Sequence, residues 1–271
     1  MRGERSGQPA PLAFAAGLIF TVCLAAFLIV PALMSMLAGV TVNYFRGISS
    51  GLTLKWVAEV LDLYLGTIWL SLGLAIGTLA ATLVIGVPAA WYLVRNPTRP
   101  ARLFEELLTL PVAVPGIAIA LALILVYGGV REFRTSWLFI LVGHVLFTLP
   151  FMVRAVVANL SAIDAKSLEA GAASLGAGPW RRFFDVIVPN ARPGILAGSL
   201  MVVTLSIGEF NLTWMLHTPL TKTLPVGLAD AYASMRLEVA SAYTLVFFAM
   251  IIPLLVAIQW FGAFGAPRVP R

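Results

Sequence analysis

At 271 residues, 60% apolar and only 11% charged, the chain carries more apolar surface than a water-soluble domain of its size can bury, and this excludes a soluble fold. The formal charge of +6 does not describe a nucleic-acid-binding surface, because the cationic residues are scattered at the ends of apolar runs. Cys23 is the single cysteine and lies inside an apolar run, which excludes an intrachain disulfide and suggests no thiol–metal site.

Six runs are long enough to cross a bilayer, which takes about 20 apolar residues each. They predict helices over 12–38, 66–93, 105–128, 137–159, 194–216 and 241–263, within one all-α membrane domain covering 1–271. The first run is too long for a signal-peptide core and has no clear small-residue cleavage site, so it reads as a retained helix. The segment 39–65 that follows is the first long connection. In the third run Glu105 and Glu106 precede the apolar stretch, and Pro111, Pro115 and Gly116 interrupt its first turns. Such a break suits either a gate or a fixed kink filled by packing. His144 lies in the middle of the fourth run. The only other histidine is His217, so a metal site is not suggested and an interhelical hydrogen bond is expected.

Between the fourth and fifth runs lies DAKSLEAGAASLGAGPWRRFFDVIVPNARPG, residues 164–194, with charges of both signs. Asp164 or Ser167 is expected to cap a first short helix made mostly of small residues, and Gly176 to end it with a positive φ. Gly178–Pro179 then opens a second helix, with the proline where its missing N–H costs nothing. Trp180, Phe183, Phe184 and Ile187 fall on one stripe of that helix, and Pro189 is expected to stop it. Physics alone leaves two readings open: an interfacial helix in a solvated loop, or an element presented to a soluble partner.

In the fifth run Glu209 is the one acid well inside a span. With Phe210, Asn211 and Thr213 it lines a translocation path, or it makes a structural hydrogen bond between helices. The connection 217–240 precedes the sixth run. Tryptophans and tyrosines such as Trp56, Tyr64, Trp91 and Trp214 mostly flank the spans, as interfacial aromatics do.

Lys and Arg set the orientation. With the N-terminus inside, the inner segments hold Arg2, Arg5, Arg95, Arg99, Arg102, Arg154, Lys166, Arg181, Arg182, Arg192, Arg268 and Arg271. The outer ones hold Arg46, Lys55, Arg131, Arg134, Lys222 and Arg236. The bias puts both termini and the 164–194 loop in the cytoplasm.

The loop resembles the EAA loop of the permease subunits of bacterial ATP-binding-cassette importers, the type I, binding-protein-dependent family. That signature runs Glu-Ala-Ala, three residues, Gly, nine residues, then Ile-x-Leu-Pro. Gly176 and Pro189 stand at its spacing, Val186 and Val188 take the Ile and Leu positions, and Ala172 matches the second Ala. Ala170 stands at the Glu position and Gly171 at the first Ala, while the nearest acid, Glu169, is one residue early. Further stretches resemble the polyamine and iron branch: GLTLKWVAEVL at 51–61, LPVAVPGIAIAL at 110–121, FTLPFMVRAVVANL at 147–160, SIGEFNLTWML at 206–216 and TLPVGLADAYA at 223–233.

The resemblance implies an inner-membrane permease that forms half of a translocation path. Its partners would be cytoplasmic ATPase subunits, a second permease that is the same or a homologous chain, a periplasmic binding protein and the lipid bilayer. Glu169, Ala170, Gly171, Ala172, Gly176, Pro179, Trp180 and Pro189 would form the loop that docks on the ATPase, with Glu169 as the acid at hand. The chain has no GxxxxGK[ST] stretch, so it is not expected to be an enzyme, and ATP and Mg would sit on the partner ATPase. The branch suggests spermidine or putrescine as substrate, with ferric iron, thiamine or aminoethylphosphonate as alternatives. A secondary transporter or channel is the competing class, but it normally shows midplane relay residues and would leave the 164–194 loop unexplained. A membrane-embedded enzyme needs a nucleophile–base pair or a metal cluster, and neither stands out.

Overall fold

The computed structural model describes residues 11–263, with side chains described for 14–260, and no β-strand occurs among them. Arg2, Arg5, Arg268 and Arg271, which weigh in the orientation argument, lie outside the described residues, as do the chain ends.

Helix α1 (Pro11–Ala38) is apolar all round and almost wholly exposed, as a helix bathed in lipid would be. It meets the rest of the chain at its end, where Gly39 packs on the backbone of Ser241 and Ala242. Helix α2 (Lys55–Arg95) has 41 residues, a length of about 60 Å against a hydrocarbon core of about 30 Å. It is kinked at Tyr64, whose φ of −124° and ψ of 20° are non-helical. The first turns before the kink pack at the end of the bundle, and the apolar span follows it.

The third apolar run forms two helices, α3 (Arg99–Ala113) and α4 (Gly116–Tyr127), bent by 107° at Val114–Pro115. The interruption that Pro111, Pro115 and Gly116 led us to expect in the 105–128 run is therefore a full break between two helices. Pro115 has no N–H to continue the ladder, and proline disfavours helical geometry in the residue before it, so Val114 is extended. Short α5 (Arg131–Thr135) leads to α6 (Trp137–Ala162), then α7 (Ala165–Ser174) and α8 (Pro179–Arg181). A π-helical turn at Arg182–Ile187 joins α8 to α9 (Val188–Ile207). The fifth run, expected to be continuous over 194–216, is broken at Gly208–Phe210 and resumes as α10 (Asn211–Leu216). Helices α11 (Leu224–Ala233) and α12 (Leu237–Ala263) complete the described residues. Five helical stretches are long and apolar enough to cross a membrane, and the bent α3–α4 pair brings the number to six if it is one crossing.

Helices α2, α6 and α9 form the centre. Small residues let their backbones approach, the arrangement that membrane helices use where burial of apolar surface gives little drive. At Gly194 a Cβ would fall 2.7 Å from the Ala155 carbonyl oxygen and 2.6 Å from Asn159 Cβ, so α6 and α9 could not sit this close with any larger residue. One buried cluster gathers the loop end of the bundle, including Leu93, Ala101, Leu160, Phe183 and Ile187. Another, around Val60, Leu224 and Tyr243, gathers the opposite end. There Trp56 Nε1 donates to the Thr41 carbonyl at 2.9 Å, and the ion pairs Arg236–Glu59 and Lys222–Asp230 hold the connections.

Candidate coupling loop and broken spans

The loop after α6 is built from two short helices at a sharp turn. Asp164 stands at the N-cap of α7 in the left-handed region, with φ 47°. Its carboxylate accepts from the Ser167 hydroxyl at 2.6 Å and from no backbone N–H, so neither residue is the side-chain cap expected. Helix α7 ends in a Schellman motif: Ala177 N–H donates to the Ala172 carbonyl and Gly176 N–H to that of Ala173, both at 3.0 Å. Gly176 has φ 82°, the conformation that this closure demands and that a β-carbon resists. Gly178 and Pro179 then open α8, and Arg182 N–H donates to the Gly178 carbonyl at 3.0 Å.

Two expectations for the second helix do not hold. Pro189 does not stop it: the helical path runs from Pro179 to Ile207. Pro189 is at the second position of α9, just past the π turn, whose extra residue already interrupts the regular hydrogen-bond ladder. The four-residue apolar stripe also splits. Phe183 and Ile187 enter the core, while Trp180 and Phe184 stack on each other outside, 6.0 Å apart and 11° from parallel. The wider π turn shifts the angular spacing of side chains, so 3.6-residue periodicity fails across it.

Glu169 is only 6% exposed. Its carboxylate takes the Arg182 and Arg95 guanidiniums on Oε1 at 3.1 and 3.2 Å and the indole Nε1 of Trp91 on Oε2 at 3.1 Å. The Trp91 ring packs on Phe183 at 5.0 Å, and Arg95 lies over it at 5.5 Å. Glu169 thus ties α7 to the end of α2 and to the π turn, and it is not offered outward as the acidic docking contact. The i, i+4 spacing of Trp91 and Arg95 sets both on the face of α2 that meets Glu169.

Around the Gly176 turn the outward surface is small and apolar, while Lys166, Arg181 and Asp185 are exposed elsewhere on the loop. Ala170, Gly171, Gly176 and Pro179 are exposed, and Ala172 is half-buried. Beside them Leu175 is 89% and Trp180 76% exposed. The result is a nearly bare stretch of backbone flanked by two large apolar side chains.

The two broken spans meet deeper in the bundle. Glu209 is half-buried, and its carboxylate accepts the N–H groups of Leu212, at 3.1 and 3.2 Å, and Thr213, at 3.4 Å. It therefore caps α10 across the gap. Gly116, which opens α4, lies against the same group: a Cβ there would sit 3.1 Å from Glu209 Oε1. Thr213 is fully buried, Asn211 is exposed, and Phe210 packs on Trp214 at 5.3 Å. Pro115 is exposed before α4, while Pro111 stays within the last turn of α3. A hollow of about 360 Å³ opens beside the break, lined by Gly208, Phe210, Pro225, Leu228, Ala229 and Phe247. Of the expected path residues, Gly116 and Glu209 are thus brought together, whereas Pro111 and Asn211 are not part of that contact.

Residues 82–271 match the family of binding-protein-dependent transport system inner membrane components. The chain is 31% identical over 196 residues to the molybdenum transport system permease protein ModB of Azotobacter vinelandii, covering 67% of this chain and 85% of that one. It is 27% identical over 258 residues to the putative 2-aminoethylphosphonate transport system permease protein PhnV of Salmonella choleraesuis, covering 92% and 96%. In fold it is similar to a chain of the MetNI methionine ABC transporter in an inward-facing conformation. The TM-score is 0.58 at 18% identity, over 73% of this chain and 92% of the other.

Proposed function

Because the chain belongs to the family of binding-protein-dependent transport system inner membrane components, the permease subunits of ABC importers, we infer that its 164–194 loop is the element that meets a cytoplasmic ATPase. The observation that carries this reading is the bare outward face of α7 and the Gly176 turn, set between exposed Leu175 and Trp180. Small residues admit another protein's backbone closely, and the two apolar side chains supply area to bury. The helical path from Pro179 to Ile207 carries a push on that surface into the bundle. The fold itself is that of a multi-span inner-membrane permease. A periplasmic binding protein and a second permease, identical or homologous, complete the proposed assembly.

Gly176→Val tests the loop. A branched residue at φ 82° is strained, so the turn between α7 and α8 should deform. The spans lie elsewhere, so insertion should persist while transport driven by ATP falls at least about tenfold, the effect of roughly 1.4 kcal/mol at the coupling step. Co-purification with the ATPase and uptake in proteoliposomes measure this. Normal values for both would remove the loop from the coupling role.

The orientation proposed has both termini and the loop in the cytoplasm. In a Cys23→Ser background expressed without the ATPase, a cysteine replacing Gly178 should react with an impermeant maleimide only in inside-out vesicles. One replacing Leu220, which is 94% exposed, should react only in intact cells. The reverse pattern would overturn the orientation and the docking reading together.

For the substrate we propose a small polar solute bearing charge. The similarity to PhnV over 92% of the chain supports a 2-aminoethylphosphonate-like zwitterion. Spermidine or putrescine is the second reading, and its residue-level support is Glu209, whose carboxylate is engaged by two backbone amides. Calorimetric titration of the partner binding protein with aminoethylphosphonate, spermidine, thiamine, ferric iron and molybdate decides between them. Saturable binding of molybdate alone would overturn both.

A further inference from the structure

The break between α9 and α10 is bridged by a side chain from a third helix. His144 of α6 is 1% exposed and uses both ring nitrogens. Nδ1 lies 2.8 Å from the hydroxyl of Ser206, one residue before the end of α9. Nε2 lies 2.8 Å from the hydroxyl of Thr213, in the first turn of α10. Both hydroxyls are buried. The Ser206 hydroxyl also donates to Thr78 Oγ1 at 3.4 Å, so the matching neutral imidazole donates from Nδ1 to Ser206 and accepts at Nε2 from Thr213. Next to it, Gly143 lets α10 press on α6: a Cβ there would lie 2.8 Å from Leu212 Cδ2 and Leu216 Cδ1.

We propose that His144 is a positioning residue that pins α10 across the break, so that α9, α10 and α4 move as one unit with α6. An unpinned break at Gly208–Phe210 would absorb displacement in its own backbone torsions, because a gap in a helix is where bending is cheapest. The pin removes that freedom. The helix that begins in the loop at Pro179 then transmits its displacement past Ile207 to Thr213. From α10 the contact of Glu209 and Leu212 with Gly116 passes it to α4. His144 is too deeply buried to meet a solute, so its effect acts through the two hydroxyls. This inference rests on the reading of the 164–194 loop as the point where ATPase motion enters.

The test uses the assembled complex in nanodiscs, in a Cys23→Ser background, with a cysteine replacing Phe210 beside the 360 Å³ hollow. The maleimide reaction rate at that cysteine is measured without nucleotide and with trapped ATP. In the nucleotide-free state, His144→Phe should raise the rate on the order of threefold to tenfold, the factor carried by one or two interhelical hydrogen bonds in a membrane. His144→Gln, which keeps a donor and an acceptor, should fall between the two. Ser206→Ala and Thr213→Val should each raise the rate, and together add little, because both act through one ring. An unchanged rate in His144→Phe would overturn the pin. If His144→Phe does not assemble, Ser206→Ala and Thr213→Val decide the matter, and additive effects or none would overturn it. ATP trapping should change the rate in the parent and change it less in the pin variants. A parent with no nucleotide response would overturn the coupling reading instead, while the nucleotide-free comparison still judges His144.

Discussion

Glu169→Ala is expected to free α7 from the bundle and abolish coupled transport while the spans still insert. The carboxylate holds Arg182, Arg95 and Trp91 at once, and it is buried. Removing it leaves two guanidiniums facing each other across the vacated space. Arg182 suffers most, because its Nε is buried with no hydrogen-bond partner and its Nη1 loses the acid. Breaking a buried ion pair by deleting one member costs about 3–5 kcal/mol. Arg95 is 43% exposed and recovers part of its share from water, so the lower end applies. The resemblance offered Glu169, displaced by one residue from the motif's acid, as the acid at hand for docking on the ATPase. Its inward anchorage reverses that expectation. Glu169→Gln keeps an acceptor for Trp91 and loses the charge, so it should fall in between. Limited proteolysis of the loop, co-purification with the ATPase and uptake rates report the outcome. Protection and uptake equal to the parent in Glu169→Ala would show that the cluster does not hold the loop.

Glu209→Ala should damage the complex nearly as much, by a different route. Helix α10 has six residues, and two of its first N–H groups are satisfied by this one carboxylate. Truncation leaves Leu212 and Thr213 without that acceptor inside the bundle, at about 1–3 kcal/mol for each unsatisfied group. It also opens space against Gly116. The expected result is a lower yield of assembled complex and loss of most uptake in what remains. Glu209→Gln offers an amide oxygen in the same place and should keep assembly. Uptake by that variant then reports on the charge. A further drop would reveal electrostatic contact with a cationic solute, whereas near-normal uptake restricts Glu209 to capping. Full assembly and uptake in Glu209→Ala would exclude both roles.

These residues also mark where the sequence was legible. Uninterrupted apolar runs such as those of α1, α6 and α12 can be read directly, because each is one helix with one solvent. Gly176 was readable because the glycine follows a small-residue helix and precedes Gly178–Pro179, a local pattern with a local cause. Glu169 was not, because Trp91, its partner, lies 78 residues away and the pairing depends on tertiary packing. The break at Gly208 was marked only by Gly208, Glu209 and Asn211, and the apolar residues on both sides let them pass as part of one span. The prolines announced a break in the third run, yet the 107° turn depends on α4 docking on α10. Pro189 misled for a similar reason: a π turn ahead of it changes what a proline does to a helix, and π turns have no simple signature in composition.

The contact of Gly39 with Ser241 and Ala242 has a consequence for how the chain is made. The segment after α1 is fastened to the start of α12, with Tyr44 N–H donating to Glu238 Oε1 at 2.8 Å across 194 residues of sequence. The segment after α1 therefore leaves the ribosome 194 residues ahead of the carboxylate it is fastened to. Until α12 is made, α1 lacks this contact. This contact closes only once translation has passed Ser241 and Ala242, and a chain stalled or clipped before residue 238 leaves the end of α1 without it.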